Sequence, residues 1–153
     1  MRVFITGGTC HAGSRIIPEL IAAGHDVTGL ARSDASADAL SALGATVRRG
    51  DLDHLDGLKE AAADSDGVIH VAHRQDLLPT GGMDAVAAAE LQIVRAYGEA
   101  LAGTGKPLVA AGSIGSAGSL GRPATEEDPA PPTPPQDPGP PRPPHALQPP
   151  LPA

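Results

Sequence analysis

Aromatic side chains are nearly absent: the 153 residues include one Phe (Phe4), one Tyr (Tyr97) and no Trp. Aromatics bury the largest areas in a core, so the interior has to be built from Val, Ile, Leu and Ala and will be thin. Cysteine is equally scarce. Cys10 stands alone, which excludes an intramolecular disulfide framework and any multi-cysteine metal site. No apolar run approaches the ~20 residues that span a bilayer. The first apolar stretch, Val3-Phe4-Ile5, stops at Thr6-Gly7-Gly8, too short for a signal peptide. Basic residues are outnumbered, 11 Lys and Arg against 18 Asp and Glu, for a net charge of −7. An acidic chain without a basic stripe argues against nucleic acid as a partner. These absences leave a soluble, cytoplasmic protein as the expectation, with neither membrane nor nucleic acid among its partners.

Proline is abundant but lopsided. Of 17 prolines, 13 fall between Pro129 and Ala153. The expectation is therefore a body, residues 1–128, and a disordered Pro-rich tail, residues 129–153, that cannot bury a core. In the body, Arg2 to Thr6 reads as a buried strand and Ala12 to Ala23 as a helix with Pro18 inside it. Asp26 to Ala31 reads as a second strand. Ser33 or Asp34 can cap a helix running to Leu43, closed by Gly44. A strand over Ala45–Arg49, a helix over Leu55–Ala63 and a strand over Gly67–Ala72 follow. After a break at Pro79-Thr80-Gly81-Gly82 comes the longest helix, Met83 to Ala102. Its expected apolar stripe is 83, 87, 91, 94, 98 and 101, with Asp84, Glu90, Arg95 and Glu99 in water. Pro107–Ala111 is the fifth strand. Alternating strands and helices with near-continuous apolar strands predict an α/β fold, a doubly wound parallel sheet of the Rossmann-like kind. Ligands of such sheets bind beyond the carboxyl ends of the strands.

The loop after the first strand, Thr6-Gly7-Gly8-Thr9-Cys10-His11-Ala12-Gly13, has glycines at the first and third positions of a dinucleotide fingerprint, with Cys10 at the second. It resembles the loop T-G-x-x-G-x-x-G of the extended short-chain dehydrogenase/reductase family, also called the NAD-dependent epimerase/dehydratase family. Gly50-Asp51-Leu52 resembles that family's adenine-contacting Asp-Leu pair, and Val68-Ile69-His70-Val71-Ala72 its V-I-H-x-A strand. Leu108 to Gly118 is similar to its fifth strand and the turn with the catalytic Ser or Thr, here Ser113. Thr125-Glu126-Glu127-Asp128-Pro129 resembles the T-E-x-x-P segment before its Y-x-x-x-K pair. The resemblance covers roughly residues 1–135. It implies a dinucleotide cofactor held by Gly7, Thr9, the Cys10 backbone, Gly13, Arg32, Asp51, Leu52 and Ala72. It also implies oxidation and reduction of a small, sugar-like hydroxyl or carbonyl compound. Homodimers in the family form through the long helices flanking strand five, of which Met83–Ala102 is the first.

Arg32 stands at the end of the second strand, where an Arg pairs with a 2′-phosphate and a carboxylate would instead accept from a ribose hydroxyl. NADP is therefore expected, with NAD as the alternative. Three departures qualify the resemblance. The Cys10 side chain points into space the pyrophosphate needs, which predicts weakened binding; a thiol at a helix N-terminus also permits a redox-sensing, non-catalytic module as the rival function. The Tyr-Lys pair that would perform acid/base chemistry falls, by register, on Gln136 and Pro140. Tyr97, with Leu101 four residues on, reads as a packing residue. His70 reads as a hydrogen-bonded core histidine and His73 as a residue facing the nicotinamide side; neither has a carboxylate at metal-ligand spacing, so no metal is expected. Between Pro131 and Ala153, 18 of 23 residues are Pro, Gln, Leu, Arg or His, types commonly encoded by codons beginning with C. This bias favours a frameshifted reading that replaces a substrate domain and truncates the fold after strand five. A polyproline ligand segment is the competing reading.

Overall fold

The computed structural model describes residues 1–112, Thr125 and Asp128. Met1–Gly112 is one compact unit. Its elements run β1 (Arg2–Thr6), α1 (Gly13–Ala22), β2 (Asp26–Ala31), α2 (Asp34–Ala42), β3 (Thr46–Arg49), α3 (Leu55–Ala63), β4 (Gly67–His70), a 3-10 turn (Gln75–Leu77), α4 (Leu78–Leu101) and β5 (Leu108–Ala110). All strand pairs are parallel, in the order β3-β2-β1-β4-β5. The doubly wound sheet expected from the alternation is therefore what the chain forms. In the second unit, Ser113–Ala153, the Asp128 carboxylate accepts from the Thr125 N–H at 2.8 Å and the Asp128 N–H returns to the Thr125 carbonyl at 3.2 Å. Ser113, the 128/129 boundary and the tail 129–153 lie outside the described residues.

Strand alternation sends successive β1 side chains to opposite faces. Phe4 and Val68 face α3 and α4, in a cluster with Leu58, Ile93, Tyr97 and Leu101. Ile5, Val27 and Ala31 face α1 and α2, in a cluster with Ile17 and Leu40. Burying each large apolar side chain is worth roughly 1.5–3 kcal/mol. The two aromatics meet edge to face, with centroids 6.4 Å apart at 72°, so the scarce rings are spent in one place. Ser33 caps α2 by accepting from the Ser36 N–H at 3.2 Å, one of the two capping residues anticipated.

Helix α4 departs from the expected pattern. A helical turn already starts at Leu78, because Pro79 lies in that first turn, where its missing N–H would have no helical partner anyway. The expected break follows it: Gly82, at φ 63° and ψ −164°, leaves helical geometry, and the long helix continues from Met83. Its buried stripe is Val86, Ile93, Ala96, Tyr97 and Leu101, whereas Met83 (63% exposed) and Leu91 (49%) of the expected stripe face outward. Glu90, expected in water, lies on the inner stripe and binds His70. Three strands are shorter than anticipated: β3 begins at Thr46, β4 ends at His70, and β5 covers only Leu108–Ala110, with Val109 at 57% exposure.

Candidate functional site

Strand order reverses at β1, with β2 departing to one side and β4 to the other. A crevice opens beyond the carboxyl ends at such a point, and here it is a cleft of about 500 Å³. The loop after β1 supplies Gly7, Thr9 and Cys10; β2 and the start of α2 supply Leu30, Arg32, Ser33 and Ser36; the exit of β3 supplies Gly50, Asp51 and Leu52; and the segment after β4 supplies Ala72 to Asp76. Seven of the eight residues expected to contact a cofactor (Gly7, Thr9, Cys10, Arg32, Asp51, Leu52 and Ala72) thus line one cavity. Gly13 does not line it. It sits beneath the loop, where an added Cβ would lie 2.2 Å from the Gly7 carbonyl oxygen.

The loop is folded as tightly as its glycines suggest. Gly7 has φ 77°, and a Cβ there would lie 2.5 Å from the Ala72 nitrogen, so only glycine lets β1 turn this close to the chain leaving β4. The Cys10 N–H bonds the Gly7 carbonyl at 2.9 Å, and the Ser14 N–H bonds the Cys10 carbonyl at 2.9 Å. The Cys10 thiol is half-buried: its sulfur accepts from the Gly13 N–H at 3.3 Å and faces the Val71 carbonyl at 3.7 Å. The sulfur thereby occupies one backbone donor at the start of α1, where such groups favour anions.

Charge at the cleft mouth is organised by a residue that sequence reasoning passed over. Arg74 is 8% exposed and pairs with Asp53 from the β3 exit and with Asp76 at 3.0 Å. Donating hydrogen bonds to Asp76 and Asp53 raises its already high pKa further. The Arg74 guanidinium, with a smaller contribution from Arg32, holds the Asp76 carboxyl below the usual range. The available signal was positional: residues just past a strand's carboxyl end in this fold face the ligand, which also puts His73 and Gln75 in the lining.

Tyr97 is fully buried and outside the cleft lining. Burial pushes its phenol well up, and the Glu90 carboxylate adds to it. Its hydroxyl makes no hydrogen bond, so it is a packing residue, as read from its place in the helix. Among the described residues no group of His, Cys, Asp and Glu could hold a metal ion, and no helix is long and apolar enough to cross a membrane.

A family described as NAD(P)H-binding matches residues 7–106. A protein of uncharacterised function from Schizosaccharomyces pombe is 39% identical over 131 residues, or 86% of this chain and 43% of that protein. A Stigmatella aurantiaca enzyme named as the 4-hydroxy-2-methyl-3-oxo-4-farnesyl-3,4-dihydroquinoline-1-oxide ketoreductase is 35% identical over 123 residues, 71% of this chain and 37% of its own. Among solved structures, a Burkholderia cenocepacia protein described provisionally as an epimerase superposes with a TM-score of 0.66 at 27% identity, over 86% of this chain and 44% of that one. UDP-glucose 4-epimerase from Bifidobacterium longum, solved with NAD+ and UDP, gives a TM-score of 0.68 at 21% identity over 87% and 43%, a likeness of fold alone. The chain spans less than half the length of each of these relatives.

Proposed function

Because the chain belongs to the NAD(P)H-binding family, with the fold of the epimerase/dehydratase type of short-chain dehydrogenases, we propose that it binds NADP in the cleft and that its catalysis is impaired. The observation that carries this reading is the Gly7–Ala72 approach, a cradle that a single Cβ would fill. In it, Gly7, Thr9 and the Cys10 backbone would hold the pyrophosphate, with Gly13 packed beneath the loop, Asp51 and Leu52 the adenine end, and Ala72 the nicotinamide side. Arg32, beside Ser33 and Ser36 at the start of α2, would pair with the 2′-phosphate, the bidentate contact that favours NADP over NAD. Bound, the cofactor would supply hydride transfer. By register from Glu126 and Pro129, Gln136 and Pro140 would stand at the Tyr and Lys positions that move the matching proton, and Tyr97 is buried in the core. Ser113 would be the surviving member of that set, toward a small hydroxyl or carbonyl substrate of the sugar-like or ketone class. A second reading, a redox-sensing module without catalysis, draws on the half-buried Cys10 thiol in the same cleft.

Fluorescence titration of the full chain with NADPH and NADH tests this. NADPH is expected to bind the more tightly, and Arg32→Ala is expected to weaken NADPH about tenfold, the loss of one charge-assisted contact, while leaving NADH unchanged. Equal affinities would overturn the NADP assignment. No binding at millimolar cofactor would overturn the function, and carbonyl-reductase turnover would overturn the claim of impaired catalysis. Binding abolished by thiol alkylation and restored by its reversal would favour the sensor.

A further inference from the structure

Beneath the glycine loop, the ends of β1 and β4 are joined by side chains as well as backbone. Thr6 and His70 are register partners. Thr6 Oγ1 lies 2.6 Å from His70 Nδ1, with the two residues 0% and 2% exposed. Across the ring, Nε2 lies 2.9 Å from Glu90 Oε2 of α4, and Tyr97 closes the ring's edge at a centroid distance of 5.7 Å. A hydroxyl, an imidazole and a carboxylate in this order form a nucleophilic triad where a substrate can reach the hydroxyl. Here Thr6 is sealed, so the arrangement acts by holding its neighbours in place.

The chain itself identifies those neighbours. Thr6 leads directly into Gly7, and His70 into Val71 and Ala72. The Val71 N–H donates to the Thr6 carbonyl at 3.1 Å, and Gly7 meets Ala72 with no room for a Cβ. A neutral imidazole has one donor and one acceptor nitrogen, and an ionised carboxylate only accepts. Glu90 therefore selects the proton on Nε2, Nδ1 becomes the acceptor, and the Thr6 hydroxyl donates to it. Glu90 brings a cost of its own, because its other oxygen, Oε1, is buried without a partner.

We propose that Glu90 is a positioning residue for the dinucleotide site. It fixes His70 as the Nε2–H tautomer and, through the Thr6 bond, sets the spacing of the β1 and β4 ends on which the glycine loop rests. This rests on the reading of the cleft as a cofactor site.

The test uses the full chain and the variants Glu90→Gln, Glu90→Leu and Thr6→Val, each checked by circular dichroism for folding. In wild type, 15N NMR of the His70 ring is expected to show a protonated Nε2 and a bare Nδ1. Glu90→Gln, whose amide oxygen still accepts, is expected to keep that tautomer and bind NADPH within about twofold of wild type. Glu90→Leu and Thr6→Val are expected to weaken NADPH about fivefold, since one hydrogen bond is worth about 1 kcal/mol and 1.4 kcal/mol is tenfold. Glu90→Leu should lose the fixed tautomer. A wild-type ring protonated on Nδ1 or on both nitrogens overturns the proposal, as does wild-type affinity in Glu90→Leu. If Glu90→Leu does not fold, wild-type affinity in Thr6→Val overturns it instead. Absence of NADPH binding by wild type itself overturns the cofactor reading and this proposal together, whereas binding that the variants retain overturns this proposal alone.

Discussion

Cys10 places a sulfur where the loop would otherwise offer backbone, and that sulfur takes the Gly13 N–H. Cys10→Gly frees that donor and clears the cleft, so NADPH is expected to bind about threefold to tenfold more tightly, the gain of roughly one backbone contact to a phosphate. Isothermal titration of the two proteins decides it, and unchanged affinity would show that the thiol is no obstacle. Tyr97→Phe deletes a buried hydroxyl that has no partner. The urea midpoint should stay where it is or rise, by at most about 1 kcal/mol of stability; a clear fall would reveal a hydrogen bond. At this scale the site was legible wherever glycine spacing or a strand end marked it, as for Gly7, Arg32 and Asp51. Glu90 was not legible, because a carboxylate in an amphipathic helix reads as solvated until its imidazole partner is seen. Arg74 was hidden for a similar reason: its burial depends on Asp53, which comes from another loop.

Among the elements, α1 carries its own weakness. Pro18 sits inside a helix of 10 residues and is exposed, so its ring removes one helical hydrogen bond without repaying it in packing. Pro18→Ala is expected to stabilise the protein by roughly 1–3 kcal/mol, seen as a higher midpoint in thermal unfolding. A lower midpoint would mean that the ring shapes the helix usefully. The order of elements was readable because hydrophobic periodicity switches between about 2 and 3.6 from strand to helix. The break before the long helix was readable too, and Gly82 makes it. The extra turn from Leu78 was not, since proline is tolerated in a first turn but reads as a stop. The phase of α4 was misjudged for a related reason: small residues such as Ala87 and Gly98 fit either face, and only contact with Phe4 and Val68 selects the face that carries Tyr97.

For the molecule as a whole, acid should be the weak side. Asp66 is held below its ordinary value by the Arg2 backbone and guanidinium, Asp76 by Arg74, and Glu99 by Lys59. A depressed carboxylate contributes stability above its unfolded pKa and loses it as pH falls through the folded one. The urea midpoint should therefore drop as pH falls below about 4.5, and Asp66→Asn should make that decline shallower. These groups are exposed, so added salt should flatten it too; a midpoint constant down to pH 3 would remove these pairs from the account. Lys59, raised by Glu99, works in the opposite direction, its contribution present below its ordinary value and lost at high alkalinity. The Thr6–His70 bond has a consequence in time. Its partners are 64 residues apart, and a ribosome adding about 5–20 residues per second needs roughly 3–13 s to travel from one to the other. During translation β1 can pair with β2, but for those seconds the backbone groups of its other edge have no strand to receive them. That interval is when the nascent chain most needs a chaperone.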